Sequence, residues 1–278
     1  MTFLQAGLAA IAISLMHAGG AAAPSPPCHV QVAANLVLKQ GGPPPSVEMP
    51  PITLDPRDGT IVAVKNAPPR RVLLLVDASG SMRQGNAWRA AAAHARELVE
   101  SLPAPVQLGV ARVTDEVRLI GGYRAPPSGY AAALTDLFAQ LNPKGGTALY
   151  DAIVAALGRG GALRAGDAIV ADSDGGDDAS RASSDAARDA MQQAGVRFFL
   201  LVPNRSEPRS NFRSSRSFAE ASGGAVEPDG AQLGQLLANQ LEISIEISSG
   251  RADLHLHPAP QLKGARLLSS SKPPACAP

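Results

Sequence analysis

Between residues 71 and 241 the apolar positions of this chain change period several times. VLLLVD (72–77), VQLGVARV (106–113), EVRLIG (116–121), DAIVAD (167–172) and VRFFLLV (196–202) are short aliphatic runs of strand length. Between them, apolar side chains return every three or four residues. The first such series is Trp88, Ala91, Ala95, Leu98 and Leu102, and the second is Tyr130, Leu134, Phe138 and Leu141. Leu149, Ile153 and Leu157 follow, then Ala186, Ala190 and Ala194, then Leu233, Leu237 and Leu241. That spacing gives a helix one face to lay against a core. Strands alternating with helices of this length need crossover connections. The pattern therefore predicts an α/β fold, a doubly wound, mostly parallel sheet flanked by helices. Only Thr114 and Asp115 separate the second and third strands, which are expected to pair as an antiparallel edge hairpin.

Outside this region the pattern is different. Residues 24–70 hold two β-like pieces, HVQVAANLVL and TIVAV, around GGPPPSVEMPP, whose prolines stop any strand or helix. After 241 the period falls to two. Ile243, Ile245 and Ile247 alternate with polar residues, and Leu254 and Leu256 alternate with His255 and His257.

The chain opens with MTFLQAGLAAIAISLMHAGGAAAPSPP, an apolar stretch too short for a bilayer span, followed by the small residues that suit a signal-peptidase cut. No other apolar run approaches the length of about 20 residues that a membrane helix needs. These features predict an exported protein, periplasmic or extracellular, with no membrane span once the signal is removed. The two cysteines, Cys28 and Cys276, form an even pair at opposite ends of such a chain and are expected to bridge. A bridge requires their Cα atoms within about 7 Å, so both chain ends should meet in one small β appendage. The expected division is a signal peptide (1–23), an N-terminal β segment and linker (24–70), the α/β domain (71–241) and a C-terminal β tail (242–278).

Composition changes this picture little. With 25 Lys plus Arg against 24 Asp plus Glu, the 278-residue chain has no general pull toward nucleic acid or an anionic membrane. Aromatic residues are only 4%, so the core must be built from Val, Leu, Ile and Ala.

In an open α/β sheet, ligands are reached at the carboxyl ends of the strands. The first strand ends in Asp77, Ser79 and Ser81, alternate positions whose side chains share one side of an extended segment. DAIVAD runs into SDGGDD, which places Asp172, Asp174, Asp177 and Asp178 at the same edge. KGGTALYDAI adds Thr147 at a helix start. Carboxylate and hydroxyl oxygens without convergent His or Cys suit a hard divalent cation, Mg²⁺ first, then Mn²⁺ or Ca²⁺. Asp77, Ser79, Ser81, Thr147 and Asp174 supply five oxygens where an octahedral ion takes about six, leaving a position for a carboxylate from another molecule. The competing uses are ordinary. Ser79 or Ser81 could cap the next helix and Thr147 the one through Leu157. Asp172, Asp177 and Asp178 suit solvated loop acids or acceptors behind the direct ligands. His255 and His257 suit a solvated strand face, and Arg205, Arg209, Arg213 and Arg216 a soluble loop. An enzyme is not expected. DASGSM lacks the second aspartate of a D-x-D phosphatase motif, VDASG lacks the leading glycine of G-x-S-x-G, and His94 sits well inside the first helix.

Three of these segments together resemble a known family. DASGSM matches the D-x-S-x-S motif of von Willebrand factor type A (VWA) domains, and GGTALYDAI resembles their threonine-bearing loop. DSDGGDD resembles their T-D-G segment with Ser173 in the threonine place. FAEASGGAV (218–226) resembles the segment that follows the family's fifth strand. The resemblance spans about residues 71–241 and is greatest to bacterial exported members. It implies a Rossmann-like VWA fold and a metal-ion-dependent adhesion site (MIDAS) of Asp77, Ser79, Ser81, Thr147 and Asp174. The implied function is binding, through a divalent cation, to an acidic side chain of a partner protein. The alternative is a metal-independent structural or assembly component of an envelope complex.

Overall fold

The computed structural model of the protein describes residues 28–37, 52–56, 58–158, 163–203, 213–227, 229–247, 254–260, 262 and 265–270. The signal segment, Cys276, Arg205 and Arg209 lie outside the described residues.

Six strands form the larger sheet: β4 (Arg71–Asp77), β5 (Gln107–Val113), β6 (Val117–Arg124), β7 (Ala168–Asp172), β8 (Arg197–Leu201) and β9 (Val226–Glu227). Their order is β6-β5-β4-β7-β8-β9, and every neighbouring pair is parallel except β5 with β6. The helices are α1 (Ala87–Ser101), α2 (Tyr130–Gln140), α3 (Leu149–Leu157), α4 (Ser184–Ala194), α5 (Arg213–Ala221) and α6 (Gly230–Ala238). Alternation along β4 divides the core. Val72, Leu74 and Val76 join the face packed by α1, α2 and α6, whereas Leu73 and Leu75 join the face packed by α3, α4 and α5. A strand buried on both faces must read as a continuous aliphatic run, and VLLLV does.

The second unit gathers both ends of the described chain. β1 (Cys28–Val37), β3 (Thr60–Asn66), β10 (Leu241–Ile247) and β12 (Arg266–Ser269) form an antiparallel sheet in the order β12-β1-β10-β3, and β2 (Ile52–Leu54) pairs with β11 (Leu256–Pro258). Val30, Val32 and Ala34 pack with Ile243, Ile245, Ile247, Ile52 and Leu254. His255 is solvent-exposed, just before β11, and its Nδ1 meets Asp58 Oδ2 at 2.8 Å.

Arg197, at the first residue of β8, ties this unit to the larger sheet. It is 2% exposed, donates to Asn35 Oδ1 of β1 at 2.5 Å and to Gln240 Oε1, and stands over the Phe199 ring. Gln240 Nε2 in turn donates to the carbonyls of Ala67 and Gly166. Burial pulls the Arg197 guanidinium down to about 9. The small sheet is therefore docked at the amino ends of the parallel strands.

Three boundaries differ from the sequence pattern. Leu241 continues the helical spacing of Leu233 and Leu237 but opens β10, because α6 stops at Ala238 and Gln240 is used by Arg197. β6 runs three residues past Gly121, through two bulges that absorb its glycines. β9, with only two residues, completes the sheet where no periodicity could show it.

Candidate functional site

β4 delivers Asp77 to the carboxyl edge, and the chain then leaves the sheet in an extended turn. Ala78 N–H donates to Val113 O, Lys144 N–H to Ala78 O at 2.7 Å, and Gly80 N–H to Gly145 O at 2.9 Å. The loop after Asp77 is thus laced to the loop that carries Thr147. Asp77 is 2% exposed; its Oδ1 accepts from Ser79 N–H at 2.9 Å and its Oδ2 from the Ser173 hydroxyl at 2.6 Å. Burial pushes the Asp77 carboxyl above the usual carboxylate range, the bonds from Ser173 and Ser79 oppose this, and the nearby Asp174 charge adds to the rise. The Ser79 and Ser81 hydroxyls lie 3.0 Å apart. Neither caps a helix: the 3-10 turn Gly80–Arg83 has no side-chain cap from Ser79, and α1 begins later, at Ala87, with Asn86 in the cap position.

Thr147 is buried, and the acids after β7 hold it from behind. Its N–H donates to Asp178 Oδ1 at 2.7 Å, while its carbonyl accepts from the N–H groups of Asp178 and Ala179. Tyr150 N–H donates to Asp177 Oδ2 and Asp151 N–H to Ser180 Oγ, so residues from another loop satisfy the exposed first turn of α3. The cap position of α3 is Ala148, which leaves the Thr147 hydroxyl out of capping. On the other flank, Asp115 Oδ1 accepts Gly146 N–H at 2.6 Å. Gly145 has φ +81, and a Cβ there would stand 2.3 Å from Asp115 Oδ2, so only glycine fits this turn. Asp174 is half-buried and fixes its own loop through Gly176 N–H at 3.1 Å.

The structure therefore brings the Asp77, Ser79 and Ser81 turn, the Thr147 loop and the Asp174 loop to one sheet edge. Asp177 and Asp178 act as acceptors that hold backbone. The sequence reading left two partners unconnected. Ser173 reaches Asp77 directly, and His94, although inside α1, lies with Nδ1 3.4 Å from Asp172 Oδ1, two residues before Asp174. Asp172 is wholly buried, which pushes its carboxyl upward, and its Oδ2 has no hydrogen-bond partner among the described residues. Only alternation along β7 hinted at these contacts, since it sends Asp172 toward the α1 face.

Among the described residues no three His, Cys, Asp or Glu side chains gather as a metal cluster. An ion at this edge would be held by two carboxylates and a set of hydroxyls. That donor chemistry fits a hard divalent cation, and among the described residues no basic side chain pairs with the buried Asp77 carboxyl.

The family model for the von Willebrand factor type A domain matches residues 72–165, which contain Asp77, Ser79, Ser81 and Thr147. Over these residues the chain is similar to a VWA domain. No curated protein matches the chain. Among solved structures, a von Willebrand factor type A protein from Catenulispora acidiphila is 15% identical with a TM-score of 0.48, covering 90% of this chain and 74% of that one. The manganese-loaded TRAP protein of Plasmodium vivax is 13% identical with a TM-score of 0.45, covering 74% of this chain and 80% of that one. Proximal thread matrix protein 1 from the mussel byssus, with a zinc-occupied MIDAS motif, is 15% identical with a TM-score of 0.45, covering 71% of this chain and 50% of that one. These likenesses to the VWA domain assign no ligand to this chain. No helix among the described residues is long and apolar enough to cross a membrane.

Proposed function

We propose that the VWA domain, residues 71–241, binds a partner protein through a divalent cation held by Asp77, Ser79, Ser81, Thr147 and Asp174, with Mg²⁺ expected first and Mn²⁺ or Ca²⁺ as substitutes. The carrying observation is Asp77: a carboxylate 2% exposed, aimed by Ser79 N–H and Ser173 Oγ, with no cationic side chain bonded to it among the described residues. A bound cation would supply a positive centre that accepts an acidic side chain of the partner. Asp77 and Asp174 contribute the negative charge, and the hydroxyls of Ser79, Ser81 and Thr147 contribute neutral oxygens. Two carboxylates balance a divalent charge without exceeding it, so a third anionic ligand is not repelled. The proposal assigns binding rather than catalysis, in a protein exported to the periplasm or beyond. Isothermal titration of Mg²⁺ and Mn²⁺ into the chain tests it, with Asp77→Ala expected to abolish the heat. Absence of heat from the parent protein would overturn it.

A second reading, a metal-independent structural or assembly component, is favoured by one observation: both Asp77 oxygens already accept hydrogen bonds within the protein. Recovery of the same partners from envelope or medium with and without chelator separates the two. We also propose the Cys28–Cys276 disulfide. β12 pairs with β1 from Val37↔Arg266 to Ala34↔Ser269, so β12 runs along β1 in the direction of Cys28. Thiol alkylation before and after reduction, read by mass, tests the bridge.

A further inference from the structure

The β5–β6 hairpin carries a charge conflict that the fold leaves unresolved. Arg112 of β5 and Arg118 of β6 are direct cross-strand partners. Like charges in that relation repel. Arg112 Nε is buried without a hydrogen-bond partner, and no salt bridge among the described residues reaches either arginine. The two acids of the hairpin turn do not neutralise them: Asp115 is engaged by Gly146 N–H, and among the described residues Glu116 makes no ion pair.

The same hairpin exposes aliphatic surface. Leu119 is 58% exposed and Ile120 37%, two of three large hydrophobic side chains exposed among the described residues. Ile120 is the extra residue between the pairs Val110↔Gly121 and Ala111↔Leu119, and among the described residues the outer edge of β6 has no neighbouring strand. This surface adjoins the site. Asp77 pairs with Val113, one residue beyond Arg112, and the hairpin turn is bonded through Asp115 to the loop of Thr147.

We propose that the β5–β6 hairpin is a second contact surface for the partner, taking a protein segment in which a carboxylate lies beside aliphatic side chains. The carboxylate seats between Arg112 and Arg118, where planar guanidinium groups bind it in a fork, and the aliphatic groups cover Leu119 and Ile120. Charge complementarity selects this occupant, because β6 contains two arginines and no acid. The inference rests on the reading that this rim engages an acidic partner, and it adds a second anionic position outside the metal site.

The probe is a synthetic peptide alternating glutamate and valine, compared with its glutamine counterpart, titrated into the full chain and followed by amide NMR. With Mg²⁺ present, shifts are expected at residues 112 and 118–121 as well as at 77–81; with chelator, those at 112 and 118–121 persist. Arg118→Glu would pair with Arg112, so this variant should melt no lower than the parent while binding the peptide about tenfold more weakly, with an unchanged Mg²⁺ titration. Shifts missing from the hairpin, equal binding by the glutamine peptide, undiminished binding by Arg118→Glu, or self-association covering this edge would each overturn the proposal. Loss of the Mg²⁺ heat alone would sink the metal reading and leave the hairpin result standing.

Discussion

Ser173 and Asp77, 96 residues apart, meet at 2.6 Å where the ends of β7 and β4 lie side by side. The bond places a hydroxyl donor on a carboxylate that solvent scarcely reaches. Removing it in Ser173→Ala leaves a buried acceptor short of a donor and should cost about 1–3 kcal/mol of stability. Urea unfolding checks this as a lowered midpoint with unchanged slope. Ser173→Thr, which keeps the hydroxyl, should recover most of the loss.

Asp77→Asn should separate fold from function. Burial disfavours the ionised carboxyl in the metal-free protein, so the neutral amide is expected to leave the chelator-treated domain as stable as the parent or more so. With Mg²⁺ at about one hundred times its dissociation constant the parent should gain about 2.7 kcal/mol, and the variant almost nothing. Thermal melts with chelator and with Mg²⁺ give both comparisons.

The acid limb of the stability profile should involve Asp151. Its carboxylate accepts the N–H groups of Ala182 and Arg181, which hold its carboxyl below the usual carboxylate range. In the unfolded chain that carboxyl titrates near its ordinary value of about 3.9. The contribution is complete above that value and disappears as pH falls through the lower folded one. Asp151→Asn should therefore flatten the loss of stability below about pH 4, measured by denaturant unfolding at a series of pH values.

Arg197 tests how the two sheets are joined. Arg197→Ala strands Asn35 and Gln240 without their shared donor and opens a void over Phe199, for an expected loss of about 2–5 kcal/mol. Arg197→Met fills the volume and removes the buried charge, so it should lose clearly less. Circular dichroism melts of the two variants decide the order. Equal losses would mean that the guanidinium, rather than its volume, holds the junction.

Strand and helix periods carried the architecture because both core faces are continuous: Val72 to Val76 and Leu149 to Leu157 had no other way to be buried. That the candidate residues share one edge was legible for a related reason, since sheet topology brings strand ends together. What stayed hidden was set by pairing across long separations. His94 falls on the buried stripe of α1 and is indistinguishable in sequence from a packing residue until β7 is placed beside it. Thr147 and Ser79 fit capping patterns equally well in sequence. Only the folded loops show that Asp177 and Ser180 serve the first turn of α3 instead. α5 escaped because its Arg/Ser-rich start offers little apolar signal before Phe218 and Ala219.

The two ends of the parallel sheet have opposite mechanical roles. Arg197, Gln240 and Asn35 fasten the small sheet at the amino ends of the strands, whereas Asp77 and its neighbours lie at the carboxyl ends. A load applied between the proposed partner and the small sheet would run lengthwise along β4, β7 and β8, setting their hydrogen bonds in shear, where many must break together. The weaker link under tension is then the junction at Arg197, not the sheet that carries the site.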